Sequence, residues 1–270
     1  MNTPAPGPRF TKRDAWVVFA IALVLIPILI VVVRANSEAS RRIRCADNLK
    51  QIGLAMLLYS NENRGEYPRV RYELAKVVTP VWGTGTMSPD PFAGPEPHDV
   101  TAAMFLLWRT QDITASRFVW PSTKAVLDAF GGGRNTAKSR SNFTNLHKNL
   151  SYSMHNPYPD EPATLKDYRL HGSTSAEFAL AADMNAGTAG NDDDVTRPNV
   201  TSPASIVKLA NSNNHGGDGQ NVLYVDGHVE FHASPFAGVK RDNIFTNKSG
   251  VVVDSTRDMW EDSILLPTDD

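Results

Sequence analysis

The chain has 270 residues, 41% hydrophobic and 21% charged, with a formal net charge of -2 at pH 7 and one cysteine. Near-neutral charge without a long Lys/Arg run removes the electrostatic footprint of a nucleic-acid binder, and a lone cysteine excludes an internal disulfide. The length beyond the first helical segment suits one hydrophobic core rather than two.

The first predicted element is a charge-free run of nineteen apolar residues, 15–33. At about 1.5 Å per residue it spans roughly 28 Å, close to a bilayer's hydrocarbon thickness and longer than the apolar region of a secretory signal. No Ala-x-Ala-like cleavage site follows, and Cys45, in RRIRC, lacks the apolar residues that precede a lipoprotein cysteine. Residues 15–33 therefore read as a retained single-pass transmembrane segment behind a short leader, 1–14. Nothing breaks the helical pattern between this run and the polar segment 34–60, so one helix is expected to continue out of the membrane, with Pro27 as the place where a missing amide bond would bend it. In the outer segment Ile43, Leu49, Ile52, Met56 and Tyr59 make one apolar stripe. Residues 61–65 and Pro68 end it by glycine punctuation and a missing donor. Arg9, Lys12 and Arg13 precede the run, while Arg34, Arg41, Arg42, Arg44 and Lys50 follow it, so a bare positive-inside count leans toward a cytoplasmic C-terminal domain.

Further along, the Gly/Pro/Thr-rich residues 81–97 predict a surface excursion, and DVTAAMFLLWR, residues 99–109, a short helix with an Asp/Thr cap. The triple glycine 131–133 lacks the Lys-Ser/Thr ending of a phosphate loop. Residues 150–154 and 178–182 predict short strands. Residues 221–225 and 228–232 are β-rich runs joined by Asp226-Gly227, which predicts a hairpin closed by a type I′ turn. Around it His215, Asp218, Asp226, His228 and His232 are five metal-ligating side chain types, and His228, Glu230 and His232 alternate onto one strand face. The solvated face of a hairpin explains that alternation, and no His-Glu-x-x-His helix occurs. His215 is expected to satisfy backbone groups under the turn, and no metal ligands or catalytic residues are assigned. Neither a Gly-x-Ser-x-Gly elbow nor a sequence-adjacent nucleophile and base is found.

SEASRRIRCADNLKQIGLAMLLYSNENRGEYP, residues 37–68, resembles the segment after the membrane helix in bacterial prepilin-like proteins related to type II secretion major pseudopilins. Counting back from Cys45 places RFTKRD, residues 9–14, where those proteins carry a Gly-Phe-Thr-Leu-x-Glu processing site. Phe10 and Thr11 fit it. Arg9 stands at the glycine, Lys12 at the leucine and Asp14 at the glutamate that offsets a neighbouring subunit's new amine. Apart from the resemblance, Asp14 reads as an ordinary interfacial charge beside Lys12 and Arg13. NNHGGDGQNVLYVDGHVEFH, residues 213–232, resembles the processing-associated domain named for His, nine residues, then Asp-Gly. Here His215, Asp226 and Gly227 carry the motif, with ten residues between His215 and Asp226. RFVWP, residues 117–121, is similar to a strand of these proteins, with Trp120 in place of a cysteine. The resemblance also makes Asp192, Asp193 and Asp194 candidate calcium ligands, but the EF-hand pattern is absent and, with Gly187 and Gly190 before it, the stretch itself reads as a solvated loop.

The expected fold class is α+β and pilin-like: a long N-terminal transmembrane helix packed on an antiparallel β-sheet with long loop insertions, the globular domain being 61–270 with the processing-associated hairpin at 213–232. The resemblance implies a non-enzymatic, membrane-anchored pseudopilin-like subunit of a type II secretion or type IV pilus-like envelope system. Its partners would be the membrane and other pilin-like subunits met through the N-terminal helix, with no nucleic acid and no cofactor unless calcium; a small-molecule ligand is not identified. It would sit in the inner membrane, single-pass, with its C-terminal domain extracytoplasmic, against the charge count. Arg9 favours the alternative, a stand-alone envelope binding module that is neither processed nor assembled.

Overall fold

The structure, a computed structural model, describes residues 12–120, 125–161, 170, 174–186, 198–247 and 262–268. Arg9, Phe10 and the acidic residues Asp192, Asp193 and Asp194 lie outside the described residues.

Helix α1, Lys12–Glu62, is continuous for 51 residues with Pro27 inside it, and the expected passage from the apolar run to the polar segment has no non-helical linker. The chain divides into two compact units within α1, Met1–Arg41 and Arg42–Asp270. Within the first unit α1 exposes Trp16, Val17, Val18 and Phe19, then Leu23, Val24, Leu25 and Ile26. Four consecutive positions at about 100° each circle the helix, so this part has an apolar surface on every side. Counting only the described residues, no helix is long and apolar enough to cross a membrane.

In the second unit the outer part of α1 buries Cys45, Asn48, Leu49, Ile52, Ala55, Met56 and Ser60. Their spacings of three and four keep them on one face. Ile43, expected in this stripe, is 71% exposed. Six residues before Leu49 is about 120° away from the buried line, which Cys45 begins instead. α1 ends where Gly65 adopts φ +87° and its amide donates to the Ser60 carbonyl at 2.8 Å, the left-handed termination that glycine allows.

Five strands follow: β1 (Tyr152–His155), β2 (Ala179–Asp183), β3 (Gln220–Tyr224), β4 (Val229–His232) and β5 (Leu265–Leu266). They form one antiparallel sheet in the order β4-β3-β2-β1-β5, giving an α+β fold. Alternation along the strands sorts the side chains. Met154, Leu180, Leu223 and Leu266 join the main core with the α1 stripe and with α2 (Val100–Thr110). Ala179, Val222, Tyr224 and Leu265 join a smaller cluster with Ile244 and Phe245. Each fully buried Leu or Ile contributes about 1.5–3 kcal/mol. α2 is capped by Asp99, whose Oδ1 accepts from the Ala102 amide at 2.7 Å, while Oδ2 accepts from the Thr84 amide, the Thr84 hydroxyl and Asn142 Nδ2 at 2.8, 2.7 and 3.1 Å.

Gly53 sets how closely α1 approaches the sheet. A Cβ there would lie 2.8 Å from Leu223 Cδ1, so glycine lets the helix backbone rest on β3.

Two local expectations are corrected. The hairpin turn is not type I′: Gly227 has φ +87°, but Asp226 is not at positive φ. The Gly227 amide donates to the Tyr224 carbonyl at 2.9 Å, the Tyr224 amide to the His228 carbonyl at 3.0 Å, and Asp226 Oδ1 accepts from the His228 amide at 3.0 Å. That is a three-residue loop, 225–227, with one left-handed glycine, selected by the Asp226 side chain capping the turn. RFVWP does not open as a strand either. Ala115–Arg117 is a 3-10 turn, and the segment reaches the chain just before β1 through the Ser151 amide donating to the Phe118 carbonyl at 2.8 Å and the Trp120 amide donating to Ser151 Oγ at 2.9 Å.

Candidate functional site

α1, the end of β2 and the 3-10 turn before β3 bring three side chains of different chemistry to one buried point. Cys45 comes from the inward face of α1, Asp183 is the last residue of β2, and His215 ends the turn Asn213–His215. Their ligating atoms lie within 4.8 Å of one another, and all three residues are buried. The chain leaves the turn through Gly216 and Gly217, at φ +64° and +75°, which lets His215 point inward while the backbone reverses toward β3.

Asp183 is the electrostatic centre. Its Oδ2 accepts from the Asn221 amide at 2.7 Å and from Asn221 Nδ2 at 3.0 Å, and faces His215 Nε2 at 3.1 Å. Asn214 Nδ2 donates to Asp183 Oδ1 at 3.4 Å and to the Ser151 carbonyl at 2.8 Å. A fully buried carboxylate is tolerated because donors surround it.

Tyr152, directly across the sheet from Asp183, closes the far side. Its hydroxyl meets Cys45 and accepts from Asn48 Nδ2 at 3.0 Å. Burial first, and then the charges on Cys45 and Asp183, push this hydroxyl well above its usual range, so it stays protonated. Asn48 is held in turn by Arg117, whose Nη1 reaches Asn48 Oδ1 at 3.2 Å and Asp47 at 2.5 Å.

Aromatic rings wall the cluster. Trp120 and Phe231 stand edge-on to the His215 ring at centroid distances of 5.5 and 5.8 Å. Arg42 lies 4.2 Å over the Phe231 ring and pairs with Asp218 at 3.4 Å, and Lys208 joins Asp218 at 2.7 Å. The Lys208 hydrogen bond, more than the Arg42 charge, holds the Asp218 carboxyl below its ordinary value. A cation on an aromatic ring and an ion pair thus flank a cluster whose three members are buried.

The expected residues separate. His215 enters the cluster, so it does more than satisfy backbone under a turn. Asp226 and Gly227 sit at the exposed tip of the hairpin, where Asp226 pairs with His228 Nδ1 at 2.5 Å. The His and Asp-Gly ends of the motif therefore form no common site. His228 stacks on Tyr224 at 4.3 Å and His232 Nε2 lies 2.8 Å from the Tyr224 hydroxyl, so the alternating histidines pack around a tyrosine. Asp14 lies in the first turn of α1, where a carboxylate suits the positive end of the helix. Cys45 and Asp183 escaped the sequence reading. Their signals were a cysteine in phase with Leu49, Ile52 and Met56, and an acid ending an otherwise apolar strand.

The arrangement suits ligation better than nucleophilic catalysis. A Cys-His-Asp relay needs the acid on one ring nitrogen, the sulfur on the other and access for a substrate; here Nε2 itself faces Asp183 and all three side chains are buried.

Residues 34–82 match the family described as Protein of unknown function (DUF1559). This family is associated with prepilin-like and pseudopilin proteins, and the match covers the whole of the segment 37–68 on which that resemblance rests, Cys45 included. No curated protein and no solved structure matches the chain.

Proposed function

We propose that the protein is a membrane-anchored, pseudopilin-like structural subunit of a type II secretion or type IV pilus-like envelope system, with its N-terminus in the cytoplasm and the Arg42–Asp270 unit outside. The observation that supports it is the two-part character of one continuous helix. α1 is apolar on every side near its start and carries a single inward stripe from Cys45 to Ser60. A helix apolar all round needs a surrounding apolar medium, whereas a one-sided stripe needs one sheet. The run 15–33 has the length and freedom from charge of a membrane span. The match to the prepilin-associated family over residues 34–82 supports the same reading, and no catalytic step is assigned. In assembly, neighbouring subunits would meet through the apolar part of α1.

Intact-mass measurement of membrane-extracted protein tests assembly competence. A mature chain beginning at methylated Phe10 supports a processed subunit. A chain that keeps Arg9 and its leader favours the second reading, a permanently anchored binding module on the same scaffold, because a site shaped for glycine rejects a long cation. Recovery of the protein in the soluble fraction overturns both. Orientation is decided by reporters fused after Asp270: activity of a reporter that works only in the cytoplasm reverses the proposed topology.

A further inference from the structure

We propose that Cys45, Asp183 and His215 bind one Zn²⁺ ion that fastens α1 to the sheet. Thiolate, imidazole and carboxylate together form a donor set that suits zinc, and the sulfur sets it apart from the all-oxygen sites of calcium and magnesium. Nε2 of His215 and Oδ2 of Asp183 are 3.1 Å apart. Two ligands about 2.0–2.1 Å from a tetrahedral zinc stand roughly 3.3 Å from each other, so this pair already has the required separation. The sulfur, inside the same 4.8 Å cluster, has to close to about 3.5 Å of its partners, given a Zn–S bond of about 2.3 Å.

The hydrogen bonds around Nε2 favour a cation on independent grounds. Nε2 faces the Asp183 oxygen at 3.1 Å and Asn221 Nδ2 at 3.3 Å. A proton on Nε2 satisfies the carboxylate and opposes the amide NH₂, and a bare lone pair does the reverse. With an ion between them, Nε2 and Oδ2 both direct lone pairs at the metal, and Asn221 donates to Oδ2 alone. The Asn221 amide, Asn221 Nδ2 and Asn214 then act as the outer donors that fix a ligating carboxylate. Charge closes as well: Zn²⁺ with one thiolate and one carboxylate is neutral, which a dry interior requires. Binding forms Zn–S, Zn–N and Zn–O bonds, releases the thiol proton to solvent, leaves the imidazole neutral with its one proton on Nδ1, and moves no electrons. With all three ligands buried, the ion's role is structural: it joins the helix, the end of β2 and the turn before β3.

The test uses the full chain in detergent, stripped with a chelator and reloaded with Zn²⁺ or Co²⁺. One metal per chain is expected. The Co²⁺ form should show tetrahedral visible bands and a sulfur-to-cobalt charge-transfer band, which must arise from Cys45, the sole cysteine. Cys45→Ser should lose that band and the stoichiometric metal, Asn221→Ala should weaken binding by about 10–100-fold, and the double variant His228→Ala/His232→Ala should still bind one ion. Zinc should raise the melting temperature of the wild type. If Cys45→Ser does not fold, the wild-type charge-transfer band decides alone. Absence of a stoichiometric metal, a cobalt spectrum without the sulfur band, or loss of binding only in the hairpin double variant overturns the proposal.

Discussion

His155 should make this protein lose stability in mild acid, by an amount the structure allows to be worked out. The residue lies on β1, is 0% exposed, and packs edge-on to Phe178 at 4.7 Å. Neither ring nitrogen has a hydrogen-bond partner among the described residues. Burial lowers its pKa from 6.5 to about 3, because an imidazolium there would be stripped of solvent. The folded state therefore holds the ring neutral, while the unfolded chain takes up a proton as pH falls through about 6.5. Above that pH His155 adds no pH dependence; between about 6.5 and 3 each unit of acidification costs about 1.4 kcal/mol, or about 2 kcal/mol at pH 5 and up to roughly 5 kcal/mol near pH 3. Other groups titrate as well. The His228 amide, first among its causes, holds Asp226 below its ordinary value, and burial lowers His232. Their contributions cancel when wild type is compared with His155→Leu. Denaturant unfolding of both proteins at pH 7 and pH 5 should show the wild type losing about 2 kcal/mol more than the variant. Equal losses would mean that the folded state accommodates the charged ring, and the account of this pocket would be wrong.

Ile52→Asp puts a carboxylate into the contact between α1 and the sheet, where Ile52 is fully buried; a loss of about 3 kcal/mol or more is expected, and an unchanged melting temperature would remove the packing claim. Asp99→Ala leaves the Thr84 amide and Asn142 without their carboxylate and should cost about 3 kcal/mol, with Asp99→Asn losing less in the same thermal melt. Gly53→Val drives a branched side chain into Leu223, with the first carbon already 2.8 Å away; about 2 kcal/mol of destabilisation is expected by denaturant titration. One glycine inserted after Gly217 should cost about 1 kcal/mol or less, whereas one inserted after Glu230 reverses the faces of Phe231 and His232. Similar melting temperatures for the two insertions would contradict the register.

The elements were legible where periodicity and punctuation act locally. The continuity of α1, the α2 cap at Asp99 and the hairpin all follow from residues within a few positions of each other. Ile43 was misplaced because an apolar residue six positions from the stripe invites inclusion, while helical phase puts it on the open side. The turn type was missed because Asp-Gly satisfies both a two-residue I′ turn and a longer loop, and the Asp226 side chain decides between them by bonding the His228 amide. The buried cluster could not be read from any window. Cys45 and Asp183 are separated by most of the described domain, and β-sheet pairing alone brings Asp183 beside Asn221 and opposite Tyr152.

That placement also bears on the ten residues between His215 and Asp226, one more than in the motif they resemble. His215 belongs to the cluster and Asp226-Gly227 to the hairpin tip, so no contact between them fixes the number of intervening residues. Between the two lie a loop, 216–219, and strand β3. β3 cannot change length cheaply, since Gln220, Asn221, Val222 and Leu223 are paired in register with His232, Phe231, Glu230 and Val229. The loop can. Gly216, Gly217 and Gly219 all hold positive φ, and a short glycine-rich connection absorbs one residue for little closure entropy. At its end Gly219 meets a tight limit, because a Cβ there would lie 2.2 Å from the His232 carbonyl oxygen. An extra residue is therefore accommodated before Gly219, where it leaves both the His215 contact with Asp183 and the hairpin register as they are.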